Sequence, residues 1–322
     1  MLTAAEKGDT ATLSSLLDKG VYINARDRDG WTALMIASGF GRAATVKALL
    51  ERGAQVNSTN RNGDTALMNA VNFGHEEAVR ELLKKGATLN NQNYDGATAL
   101  MGAIRKERQE IIDLLIDSGA DVNVRDENGW TALMIAAQKG NQEIARKLLD
   151  RGADVTAVNK YGYTPLMWAA REGRADVVEM LLAAGCDINA QHKDGGTALT
   201  IAARNNRTDI VKMMLARGAL PNSKDRAGLT GLMFAASNGN AEIAGLLLQS
   251  GAEVMAATWR GDTALLLAAM NGHAEVAQQL IASQADVNAK NRDGLTPLDA
   301  AIHFEHPQVA DILRAAGAQS GV

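Results

Sequence analysis

Asp27-Arg28-Asp29-Gly30-Trp31-Thr32-Ala33-Leu34-Met35-Ile36-Ala37-Ser38-Gly39-Phe40-Gly41 is one copy of the pattern that sets the architecture of this 322-residue chain. Asp29-Gly30 is a tight-turn signal, because glycine reaches the positive φ that such a turn needs. Thr32 stands where a helix N-cap belongs, its hydroxyl able to accept from an orphan amide. Residues 33–38 read as a short helix with small side chains on one side, ended by Gly41. Val46, Leu49 and Leu50 then mark the apolar face of a second helix at i, i+3, i+4 spacing. Gly53 stops that helix, and Gln55-Val56-Asn57 leads out to the next turn.

The turn glycine returns every 33 residues, at Gly30, Gly63, Gly96, Gly129, Gly162, Gly195, Gly228, Gly261 and Gly294. A threonine follows each two residues later, from Thr32 to Thr296, and no interval gains or loses a residue. A fixed period of this size means a stacked array of one small unit, which would leave an apolar face wet if it stood alone. Each unit is a turn, two antiparallel helices and a return loop.

Asp29-Gly30-Trp31-Thr32-Ala33-Leu34, followed by Leu49-Leu50-Glu51-Arg52-Gly53-Ala54, resembles the ankyrin repeat, and the resemblance covers essentially the whole chain. It implies an all-α fold: an ankyrin-repeat solenoid of stacked helix-turn-helix units with β-hairpin-like loops. The expected organisation is a single domain over 1–322. It has an incomplete N-terminal repeat at 1–26, nine further repeats of 33-residue period, and 291–322 as the C-terminal capping repeat. Arg314 replaces the apolar residue found at Leu50, Leu83 and Leu149, as a blunted last unit requires.

Departures from the family pattern are informative. The usual proline after threonine survives only at Pro165 and Pro297, and the usual histidine two positions further on is Met35, Met68, Met101, Met134, Met167 or Met233 in six units. A buried thioether row is therefore expected where the family has a histidine ladder. Gln284 replaces a helix-ending glycine, and Glu107, Asn206 and Glu305 replace the glycine between the two helices. If the backbone at Gln284 is left-handed, its side chain costs on the order of 1 kcal/mol. Local softness is expected at the other three turns.

Composition narrows the function classes. Hydrophobic residues are 46% and charged residues 22%, with a formal net charge of -4, which fits an ordered soluble protein and does not call for nucleic acid. Cys186 is the lone cysteine, so no intrachain disulfide forms. No apolar stretch is long enough to span a bilayer. The first residues lack the basic and apolar regions of a secretory signal. A cytoplasmic location is expected, with an earlier leader or host-targeted secretion left open.

The resemblance implies that hairpin tips and the exposed side of the first helix line a concave face. Counting from Asp27, these are the second, third, fifth, thirteenth and fourteenth positions of each unit. Nine of the twelve aromatic residues fall there: Trp31, Phe40, Phe73, Tyr94, Trp130, Tyr161, Tyr163, Trp259 and Phe304. Even scattering would place roughly two there. Trp168 and Phe234, at the tenth position, share the same helix stripe. With Glu6 and Lys7 of the first unit, these positions hold thirteen basic and nine acidic residues. That is a surplus of four positive charges, leaving -8 for the rest of a chain of net charge -4. Arg28, Arg105, Arg171 and Arg204 join the aromatic residues as candidate partner-binding residues, since rings and arginines anchor interfaces.

No phosphate-binding or acyl-transfer motif is present. Cys186 has no base beside it. Asp299, His303 and His306 lie close in sequence, but a metal there would need further ligands. No catalytic residue, metal or cofactor is expected. The expected function is a non-catalytic protein–protein interaction scaffold. It binds a protein or peptide with acidic patches on a concave, aromatic, mildly basic face, as a monomer and away from membranes. The alternative is nucleic-acid backbone binding through the basic groove, which nine interleaved acids disfavour. The unbroken period also leaves open a consensus-like, engineered binder.

Overall fold

Threonine fixes where each first helix starts. The Thr32 hydroxyl accepts from the Met35 amide at 3.2 Å, and Thr65, Thr98, Thr131, Thr164, Thr197, Thr230, Thr263 and Thr296 repeat this capping bond one period apart. The computed structural model describes residues 1–320. The last two residues of the expected capping repeat, Gly321 and Val322, therefore lie outside the described residues.

Among the described residues the chain forms twenty α-helices and isolated antiparallel bridges, such as Arg26 to Thr32 at the base of a hairpin. It parts into two compact units, Met1–Ala136 with Asn141–Asn159, and Ala137–Gly140 with the chain from Lys160 onward.

In the first unit, α1 (Leu2–Lys7), α3 (Ala33–Gly39), α5 (Ala66–Phe73) and α7 (Ala99–Arg105) pack side by side as an inner row. Behind them run α2 (Thr10–Asp18), α4 (Ala43–Glu51), α6 (Glu76–Lys84) and α8 (Gln109–Asp117). Alanines Ala33, Ala37, Ala66, Ala70, Ala99 and Ala103 are buried and let the inner helices approach closely. Val46, Leu49, Val79, Leu82, Ile112 and Leu115 seal the outer row, each fully buried aliphatic stabilising by about 1.5–3 kcal/mol.

The second unit repeats this scheme. Its inner row is α11 (Pro165–Glu172), α13 (Ala198–Arg204), α15 (Gly231–Asn238), α17 (Ala264–Met270) and α19 (Pro297–His303). Its outer row is α12 (Ala175–Ala183), α14 (Thr208–Ala216), α16 (Ala241–Gln249), α18 (Ala274–Ala282) and α20 (Pro307–Ala315). Arg314 lies at the surface of α20 and pairs with Asp311 at 2.9 Å. The methionine row is buried as expected, with no member of the six more than 5% exposed.

Two ladders join successive repeats. At the hairpin tips the amide of the second position donates to the third-position carbonyl of the preceding repeat. In the first unit these bonds are Arg61 to Asp29, Tyr94 to Asn62 and Glu127 to Asp95, at 2.9–3.0 Å. In the second unit Lys193 to Tyr161, Arg226 to Asp194, Trp259 to Ala227 and Arg292 to Arg260 do the same. At the return loops an asparagine Oδ1 accepts an amide from the next repeat, as Asn24 does from Gln55 and Asn222 from Glu253.

The turn between the two helices carries a third link. His75 Nε2 meets the Gly39 carbonyl at 2.9 Å, His273 meets Ser237 and His306 meets Met270, while Arg42 and Arg207 donate to Glu6 and Arg171 carbonyls. These side chains lie where a Cβ on the preceding turn glycine would stand. A Cβ on Gly41 would sit 2.5 Å from His75 Nδ1, and one on Gly272 2.6 Å from His306 Nδ1. Glu107 and Asn206 break the glycine pattern with φ of 55° and 56°. In both cases the residue 34 positions later is not histidine or arginine but Asn141 or Asn240, which turns back to cap its own helix. The turns expected to be soft thus keep the left-handed backbone of their glycine counterparts.

Candidate functional site

Some of the predicted positions come together in pockets within each unit, and others do not. In the first unit Trp31, Phe40 and Phe73 line a pocket of about 580 Å³ together with Ile36, Gly39, His75, Glu6, Asp27 and Asp29. The fifth position is held by its backbone, the Trp31 amide donating to Asp27 Oδ1 at 2.8 Å, and the residue as a whole is half-buried. Phe40 and Phe73 are exposed, and Phe73 stacks near His75 with centroids 6.4 Å apart. Arg105 lines a smaller pocket with Lys106, Asp64 and Asp95, and its guanidinium pairs with Asp126 at 2.8 Å. Tyr94 is 69% exposed, Arg28 is exposed and Trp130 is half-buried; none of the three lines these pockets.

In the second unit Tyr163, Arg171, Arg204 and Phe234 line a pocket of about 420 Å³ with His192, Asp194, Thr200, Asn205 and Asp225. Tyr163 stacks on His192 at 5.0 Å and tilts against Trp168 at 5.1 Å. Arg171 lies over the Trp168 ring at 5.2 Å and Arg204 over Phe234 at 5.7 Å, so each cation has an aromatic ring within cation–π range. Trp168 is only 8% exposed. It is the floor beneath Tyr163 and Arg171, and the notion of it as an exposed anchor has to be revised accordingly. Tyr161, Trp259 and Phe304 are exposed, Trp259 under Arg260 at 5.9 Å and Phe304 edge-on to His303 at 4.8 Å.

His192 escaped the sequence reading of the site. It occupies the first hairpin position, where Asp27, Asn60, Asn93, Asp126, Asp225 and Asn291 stand in other repeats. There it does their work, its Nδ1 accepting from the Asp194 amide at 3.0 Å. Burial lowers its pKa from the ordinary histidine value against the pull of Asp194 and Asp225, which favours the neutral ring that the acceptor role requires. An imidazole at a register that otherwise holds Asp, Asn or Thr was the available signal.

The other candidate chemistry is engaged elsewhere. Asp299 Oδ2 accepts from the Thr296 hydroxyl at 2.7 Å, and Asp299 Oδ1 from Ser320. His306 serves the turn ladder. The Cys186 thiol is pushed up to about 11 by burial, which makes it a poor nucleophile. No helix among the described residues is long and apolar enough to cross a membrane.

The family model for ankyrin repeats, in its three-copy form, matches residues 1–60, 52–126, 118–192, 184–258 and 232–321. No curated protein matches the chain.

Proposed function

The chain belongs to the ankyrin-repeat family, whose repeats generally mediate protein–protein interaction, and from that membership we propose a non-catalytic scaffold that binds a protein or peptide. The binding surface is the face of hairpin tips and first helices, with Trp31, Phe40, Phe73, Tyr94, Trp130, Tyr161, Tyr163, Trp259 and Phe304 as ring contacts. Arg28, Arg105, Arg171 and Arg204 supply charge, and Trp168 and Phe234 support the arginines above them. The reading takes residues 1–322 as one ankyrin-repeat domain, acting as a cytoplasmic monomer.

One observation carries it. Successive hairpins are already joined by backbone bonds that ask nothing of the side chains. Repeats with Asp64, Ala97 or Gly196 at the fifth position make the same bonds as repeats with tryptophan. The half-buried rings at the fifth position are therefore not needed for these bonds between hairpins. Large rigid rings left partly in water at repeated positions suit burial against a partner. The arginines over aromatic rings in the second unit favour partner carboxylates. Carboxylates in every one of the pockets described argue against a phosphate backbone.

Affinity capture with the intact chain and with Trp31→Ala, Trp130→Ala and Tyr163→Ala variants tests the proposal. At least one variant is expected to weaken the captured partner by about 30-fold, the loss typical of an interface hot spot, with thermal unfolding unchanged. Full binding by all three, each properly folded, would overturn it.

A further inference from the structure

The two aromatic pockets differ in charge, and the difference assigns a ligand. The pocket of Trp31, Phe40 and Phe73 is lined by three carboxylates, Glu6, Asp27 and Asp29, and by no lysine or arginine. None of the three carboxylates is ion-paired with a described residue. Arg28 lies between two of them in sequence but does not line the pocket. One oxygen of Asp27 is committed to the turn, accepting from the amides of Asp29 and Trp31. These carboxylates bring negative charge to a space otherwise lined by Trp31, Ile36, Phe40, Phe73, Gly39 and His75. This is the reverse of the mildly basic character summed over the whole face.

The geometry points to an arginine side chain of the partner, flanked by apolar residues, as the occupant of this pocket. A guanidinium is planar and weakly hydrated, so it stacks on ring faces while its edge donates to carboxylates. The flanking apolar groups cover the exposed faces of Phe40 and Phe73. An acidic side chain meets three like charges here, and a neutral apolar one leaves the lining carboxylates unpartnered. This assignment deepens the interaction reading above and rests on it, naming the chemistry that one of its pockets recognises.

The test uses the full chain and blocked tripeptides with leucine on either side of a central residue: arginine, its neutral isostere citrulline, lysine or glutamate. Binding is followed by the indole N–H resonance of Trp31, identified with a Trp31→Phe variant. The arginyl peptide is expected to shift it saturably and to bind about tenfold tighter than the citrullyl one, with lysine between them. The triple variant Glu6→Gln, Asp27→Asn, Asp29→Asn is expected to erase that preference. Its fold is protected, because Asn60 and Asn93 already serve as the turn acceptor in neighbouring repeats. Equal binding of arginyl and citrullyl peptides, preference for glutamate, or no saturable shift overturns the assignment. So does concentration-dependent self-association that occupies Trp31 without any peptide. If the peptides fail while the tip variants still lose the captured partner, the scaffold reading stands and only this pocket's occupant falls. If arginine is preferred but no tip variant loses the captured partner, the pocket's occupant stands and the proposed ring contacts fall.

Discussion

Gln284 has φ of 68°, in a register where Gly20, Gly53, Gly86, Gly119, Gly152, Gly185, Gly218, Gly251 and Gly317 all have positive φ. A Cβ at any of those nine glycines would meet nothing within 4 Å. The glutamine is therefore not crowded by neighbours, and its cost is the backbone alone. A left-handed L-residue costs on the order of 1–2 kcal/mol, of which a glycine's greater freedom in the unfolded chain returns about half. Gln284→Gly is expected to stabilise by up to about 1 kcal/mol, raising the melting temperature by about 2 °C, and a lower melting temperature would sink the idea. This strain was legible in the sequence because the period fixes backbone conformation position by position. The burial of Trp168 was not, because it depends on Tyr163 and Arg171 folding over the ring.

The turn between the two helices shows how repeats constrain each other as elements. Where glycine stands, the next repeat fills the vacated Cβ volume with a histidine or arginine, and His75, His273, His306, Arg42, Arg174 and Arg207 also reach back to a carbonyl. Where Glu107 or Asn206 stands, the next repeat supplies asparagine instead, and Asn240 Nδ2 lies 3.3 Å from Asn206 Oδ1. The pairing follows from sterics and implies energetic coupling across 34 residues of sequence. Gly41→Asn alone, driven into the His75 ring, is expected to cost about 2–3 kcal/mol. His75→Asn alone forfeits the bond to Gly39, about 1 kcal/mol. The double variant reproduces the Asn206–Asn240 arrangement and should cost less than the sum by about 1–2 kcal/mol in a urea-unfolding cycle. Additivity within about 0.5 kcal/mol would show that the two positions do not share the space. The sequence displayed both partners, but one unit read alone could not reveal the exchange, because the two side chains belong to different repeats.

For the molecule as a whole, the period made the architecture and the ring-bearing positions legible, while the polarity of each pocket was not. Glu6 meets Asp27 and Asp29 in one pocket although it comes from a different repeat, and a count over all positions averages such clusters away. What survives the averaging is a charge surplus of four on the proposed contact positions of a chain whose net charge is -4. In the proposed scaffold, a surplus that small would steer an approaching acidic partner without dominating the docked state. The association rate with the captured partner is therefore expected to fall about three- to tenfold as ionic strength rises from about 0.05 to 0.5 M, because screening shortens the reach of the surplus. The dissociation rate should change by less than about twofold over the same range. Stopped-flow or surface-binding kinetics separate the two. A log–log affinity slope on salt as steep as that of several released counterions would instead identify a nucleic-acid backbone as the bound species, and the protein-scaffold reading would give way to it.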